Sequence, residues 1–135
     1  MEEKELEKKI VTYQYLQNRL DSLSKQQAMI LTKISEINTS IQSLKDLKKG
    51  NVIFSLGSGV HAFGNFSEED KFLVEIGAGI LLEKNLDESI KILEKRKNNF
   101  QKVLNEIQNE INFSSNILNQ LASEINESIK NVRKT

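Results

Sequence analysis

Residues 52–60 read VIFSLGSGV and residues 72–80 read FLVEIGAGI. Laid over each other at an offset of twenty, apolar residues fall on apolar residues. Gly57-Ser58-Gly59 coincides with Gly77-Ala78-Gly79. A short run rich in Val, Ile, Leu and Phe that ends at a glycine turn and starts again is the pattern of a β-hairpin. The window therefore predicts two hairpins, one per repeat, from the segments NVIFSL, VHAFGNF, KFLVEI and ILLEKN. Gly64 is expected to let the second strand bend between Phe63 and Phe66. Ten apolar strand residues are expected to form a surface for other chains: Val52, Phe54, Leu56, Val60, Phe63, Phe72, Val74, Ile76, Ile80 and Leu82. Four strands with no chain to cover their edges need partners, because an open edge invites pairing. Assembly through this window is the expectation.

Working outward, the pattern changes on both sides. All six glycines of the chain lie between Gly50 and Gly79, and there is no proline. Before Gly50 a seven-residue repeat runs Leu6, Tyr13, Leu20, Gln27, Ile34, Ile41, with a second row three residues on: Lys9, Leu16, Leu23, Ile30, Ile37, Leu44. Only Gln27 and Lys9 are polar. After the window the rows are Ile90, Lys97, Leu104, Ile111, Leu118, Ile125, Val132 and Leu93, Phe100, Ile107, Ser114, Leu121, Ser128. Spacing of 3 and 4 sustained over six heptads marks a coiled-coil seam. Polar residues in the seam, Gln27 and Lys97, are expected to set register. Gly50 after Lys48-Lys49 reads as a C-cap. Asn85 with Glu88 three residues on reads as a capping box that starts the second helix.

The predicted fold is mainly α with a small β part: a long antiparallel two-helix coiled coil joined by two β-hairpins. The expected divisions are a helix over 1–49, a double-hairpin assembly hub over 50–84 and a helix over 85–135. Each helix of about 45 residues would measure roughly 70 Å at 1.5 Å per residue.

Composition excludes several functions. The chain has 135 residues, no cysteine and one histidine, His61. That leaves no disulfide framework, thiolate site or His-centred triad. Nineteen basic residues balance nineteen acidic ones, which disfavours nucleic acid as a partner. No apolar run approaches membrane-spanning length, and the start MEEKELEKK lacks the apolar core of a secretory signal. The Gly-x-Gly turns lead into strands rather than helices, unlike a phosphate loop. Ser67-Glu68-Glu69-Asp70 is too short for a calcium cage and reads as a solvated turn. No enzyme, cofactor or metal is expected.

In these features the chain resembles the prefoldin alpha subunit family. The likeness covers the whole chain in architecture, and residues 52–96 carry it in detail, through the paired Gly-x-Gly turns and the run IGAG…EK…LDE…I…L. Two hairpins rather than one favour the alpha class over the beta class. The resemblance implies an ATP-independent holdase of the cytoplasm, in which two alpha and four beta subunits assemble through their hairpins. The coil tips would hold unfolded client proteins for a group II chaperonin. It equally admits an alpha-like paralogue that assembles with itself into filaments; the window, with three basic and five acidic residues over 49–84, carries no charge code against that.

The tips of such a coil carry more apolar residues than a seam needs. Leu6, Ile10, Val11, Tyr13, Tyr15 and Leu16 lie near one end of the chain, and Leu118, Leu121, Ile125, Ile129 and Val132 near the other. Read from the residues alone they are either flank packing or client-binding surface; the resemblance implies client binding. Ser114 and Ser128 are expected to loosen the seam there.

Overall fold

A computed structural model describes residues 2–67 and 71–134. Helix α1 spans Glu2–Asp46 and helix α2 Leu86–Lys134. Between them lie strands β1 (Gly50–Gly57), β2 (Val60–Phe66), β3 (Phe72–Gly77) and β4 (Ile80–Lys84). The acidic turn expected at 67–70 falls, from residue 68 on, outside the described residues. The chain divides into two units, one of Met1–Ile34 with Phe100–Thr135 and the other of Ser35–Asn99.

In the first unit the two helices share a narrow seam. None of the α1 heptad positions from Leu6 to Ile34 is exposed, nor any α2 heptad position from Phe100 to Ser128. Leu23 (1% exposed), Ile107 and Ser114 are the buried centre. Three cross-helix pairs define the direction. Lys9 Nζ lies 3.6 Å from Glu124. Arg19 donates from Nε and Nη2 to Glu110 Oε1 at 2.9 and 2.7 Å. Gln27 donates to Gln108 at 2.6 Å. Numbers rise along one helix as they fall along the other, so the seam is antiparallel. The seam polar residue Gln27 thus meets a polar partner in this register, as a register-setting role requires.

The second unit carries both hairpins. β1 pairs antiparallel with β2, and β3 with β4, as two separate two-stranded sheets. Both turns have the same shape. Ser58 and Gly59 stand at φ 51° and 78°, Ala78 and Gly79 at 51° and 75°. Two successive positive φ values define the type I′ turn, whose twist suits a hairpin. Each turn is preceded by a register shift, at Ser55/Gly57 and at Glu75/Gly77. The repeat read from sequence is therefore a repeat of backbone conformation.

Two helix ends differ in their fidelity to expectation. At the start of α2 both halves of the capping box form. The Glu88 N–H donates to Asn85 Oδ1 at 2.8 Å, and the Asn85 N–H donates to Glu88 Oε1 at 3.4 Å. Ser89, 1% exposed, donates back to the Asn85 carbonyl at 2.7 Å. The end of α1 departs from the reading. The helix stops at Asp46, and Gly50, at φ 114°, opens β1 rather than capping the helix. Gly64 also has a different reason. β2 runs through it in register with Val52, and the ring of Phe54 lies where a Cβ would stand.

Candidate interaction surfaces

The hairpins present apolar side chains on both faces. Alternation puts Val52 and Phe54 with Ala62, Gly64 and Phe66 on one face of the first hairpin; Ile53 and Ser55 share the other with His61, Phe63 and Asn65. In the second hairpin Phe72 and Val74 oppose Lys84 and Leu82, while Leu73 and Glu75 oppose Glu83 and Leu81. Of the ten strand residues expected to meet other chains, Val52, Phe72 and Val74 are half-buried. Phe54, Leu56, Val60, Phe63, Ile76, Ile80 and Leu82 are exposed, Phe63 to 88%. Three exposed apolar strand residues escaped the sequence reading: Ile53, Leu73 and Leu81. Period-two alternation was the signal that would have found them, since each lies one residue from a chosen position and so on the opposite face.

The two strands of the second hairpin differ. β3 is engaged from the helices: Arg96 of α2 donates to the Glu75 carbonyl, and Phe72–Glu75 line a groove of about 480 Å³ with Thr39, Ser43, Leu44 and Leu93. β4 carries Ile80, Leu81 and Leu82 exposed. Phe66 and Phe72 stack at 5.8 Å between ring centroids and link the hairpins at their bases.

In the first unit the residues expected at the tips separate into two groups. Leu6, Tyr13, Leu16, Leu118, Leu121 and Ile125 are half-buried in the seam. Ile10, Val11, Tyr15, Ile129 and Val132 are exposed, Val11 and Tyr15 to 64% and 65%. Ile10, Tyr13, Gln14 and Gln17 of α1 face Ala122, Ile125 and Asn126 of α2 across a groove of about 360 Å³. The i, i+3, i+4, i+7 spacing places each set on one helix face. Among the described residues no group of three His, Cys, Asp or Glu side chains is placed to hold a metal. Among the described residues no helix is long and apolar enough to cross a membrane.

Two antiparallel helices with a thin seam and two edge-open hairpins define a class of coiled-coil protein with sheet-forming modules between its helices. A family model described as prefoldin subunit matches residues 3–131, and the chain belongs to the prefoldin family, a family of chaperone subunits. Among the curated proteins it is similar to prefoldin subunit alpha of Thermofilum pendens, 29% identical over 104 residues, which are 74% of this chain and 81% of that one. It is also similar to prefoldin subunit alpha of Saccharolobus solfataricus, 32% identical over 111 residues, covering 78% and 75% of the two chains. Among solved structures it resembles a chain of filamentous PFD from Methanocaldococcus jannaschii. The TM-score is 0.55 and the identity 22%, over 87% of this chain and 95% of that chain.

Proposed function

We propose that the chain is an alpha-class subunit of an ATP-independent holdase. Its hairpins join it to beta-class subunits in a hexamer of two alpha and four beta chains. Its coil ends bind unfolded proteins, which pass to a group II chaperonin in the cytoplasm. The observation that carries this reading is the apolar surface of the hairpins: Ile53, Phe54, Leu56, Val60, Phe63, Leu73, Ile76, Ile80, Leu81 and Leu82 are all exposed in the single chain. Isolated two-stranded hairpins are marginal in water, and apolar surface of this extent on a small chain marks an interface. The tips supply the second part. Val11, Tyr15, Ile10, Ile129 and Val132 offer apolar area outside the buried seam, and several weak sites in one assembly gain strength through effective concentration.

Light scattering on the purified chain, with and without a beta-class subunit, tests the assembly. A small species that grows to a defined hexamer on mixing is the expected result. The second reading, a homo-filament, is favoured by the likeness to a filamentous structure; extended fibres of the chain alone under the electron microscope would establish it instead. Removal of residues 1–15 and 118–135 tests the tips. Aggregation suppression that survives this deletion would locate client binding elsewhere.

A further inference from the structure

The two hairpins repeat each other in backbone but not in charge. Residues 50–66 hold no Lys, Arg, Asp or Glu, in a chain with nineteen basic and nineteen acidic residues. The second hairpin has Glu75, Glu83 and Lys84. The one ionisable side chain of the first hairpin is His61, the single histidine of the chain. It is exposed on β2, opposite Ser55 of β1. Alternation puts it on one face with Ile53, Ser55, Phe63 and Asn65. Ile53 and Phe63 are the apolar part of that face, both largely exposed. Neither β1 nor β2 sets a carboxylate or a cation beside the imidazole. At the offset of twenty, Ile53, Ser55, His61 and Phe63 correspond to Leu73, Glu75, Leu81 and Glu83. The second hairpin thus has a leucine where the first has its histidine.

Imidazole changes charge between about pH 5 and pH 8. A partner that covers Ile53 and Phe63 must also approach His61, two residues from Phe63 on the same strand face. The neutral ring can be covered at little cost. The imidazolium cannot, because it loses its hydration and this hairpin offers no counter-ion. The sign follows from linkage. Covering the face favours the neutral ring, so the separate chain holds the proton more readily than the assembled one. Association is therefore full at alkaline pH and weakens as pH falls through the imidazole range. Two first hairpins in contact would add repulsion between like charges. On the strands of a second copy the carboxylates are Glu75 and Glu83, and Glu75 already accepts the Gly79 N–H at 3.1 Å. A carboxylate set against His61 would reverse the sign, so the direction of the effect is diagnostic.

We propose that His61 makes assembly through the first hairpin pH-dependent. The neutral imidazole lets a partner cover the face of Ile53 and Phe63, and the imidazolium opposes it. The inference rests on the hairpin-assembly part of the proposed function and adds a control that part leaves open. It assigns the control to one side chain, on the one hairpin that is otherwise free of charge.

The test is sedimentation velocity of the full chain, alone and mixed with a beta-class subunit, at about pH 8 and about pH 5.5. Carboxylates stay ionised across that interval while imidazole gains its proton. The native chain is expected to associate about tenfold more weakly at the lower pH for each His61 covered. That is the ratio set by a free imidazole nine-tenths protonated about one pH unit below its midpoint. His61→Gln, neutral at both values, should associate equally at both. His61→Lys, charged at both, should associate weakly at both. Hydrogen exchange in β1 and β2 checks that each variant keeps its hairpin. A pH dependence shared by the native chain and His61→Gln would overturn the inference and leave the assembly reading standing. Association that strengthens at the lower pH and needs His61 would also overturn it, and would place a carboxylate opposite the ring. Assembly that persists unchanged in Phe63→Ser/Leu73→Ser would overturn the assembly reading and the inference together.

Discussion

A methyl group on Gly64 would run into Cε2 of Phe54, far inside contact distance. Phe54 is itself half exposed, so its ring can swing away, but only by giving up the surface it covers. Gly64→Ala should destabilise the first hairpin by roughly 1–3 kcal/mol, the usual range for an overpacked site. Hydrogen exchange would show faster amides in β1 and β2 and unchanged ones in β3 and β4. The turns point the other way. Ser58 and Ala78 hold a left-handed backbone at φ 51°, which costs a residue with a Cβ about 1–2 kcal/mol. Asparagine tolerates that region and is favoured before glycine in this turn. Ser58→Asn and Ala78→Asn should each slow exchange in their own hairpin, by about 1 kcal/mol of opening free energy. In the seam, Leu23, 1% exposed, is the most deeply buried apolar side chain among the described residues. Leu23→Ala should cost about 2–5 kcal/mol, seen as a lower melting temperature by circular dichroism, whereas Val11→Ala, at an exposed position, should leave the melt within about 0.5 kcal/mol of native.

At the scale of elements, α2 is the best documented by local chemistry. Its start is fixed by the reciprocal bonds of Asn85 and Glu88, and Asn85→Ala should cost about 1 kcal/mol and fray the first turn in hydrogen exchange. Arg19 and Glu110 make a cross-helix ion pair of 2.7 Å in the seam, but both are more than a third exposed. Their net worth is therefore small, about 0–1 kcal/mol, and their role is to favour one register. Reversing one charge should cost more than truncating it, and Arg19→Glu with Glu110→Arg should recover most of the loss in a double-mutant cycle. These elements show why part of the fold was legible in the chain and part was not. Heptads and the capping box are local signals, each confined to residues within one or two turns of each other, and the turn repeat is legible because its copies stand at one fixed offset. Arg19–Glu110, Arg96 on β3 and the Phe54 ring over Gly64 join residues whose spacing obeys no period. The end of α1 was misplaced for a related reason: Lys48-Lys49-Gly50 matches a helix terminus, yet Gly50 is needed at φ 114° to open β1. On the candidate surfaces, the sequence reading took Phe63 from the face it shares with Ile53 but passed over Ile53 itself, and with it Leu73 and Leu81.

For the molecule as a whole, exposed apolar residues fall in both units, and the proposed function divides its labour between them. Those of Ser35–Asn99 sit mainly on strands with unpaired edges; those of the other unit include Val11 and Tyr15, on a helix whose hydrogen bonds are internal. Strands can extend a sheet and fix a partner in register, whereas a helical surface offers contacts without an edge to fix their register. The first suits a permanent assembly and the second a client that must leave. Phe63→Ser with Leu73→Ser removes two exposed apolar side chains from the hairpins without touching a turn or the seam. If each is worth about 1.5–3 kcal/mol when buried against a partner, association should weaken by at least about a hundredfold. Sedimentation velocity would then show the small species at concentrations where the native chain is assembled, while the helical melt stays unchanged. Val11→Ser with Tyr15→Ser should do the reverse, leaving sedimentation as it was and lowering the suppression of client aggregation. Both functions lost by either pair would mean that binding and assembly share one surface, and the division would fall. A client activity lost only by the hairpin pair, with the tip pair neutral, would place the client on the hairpins.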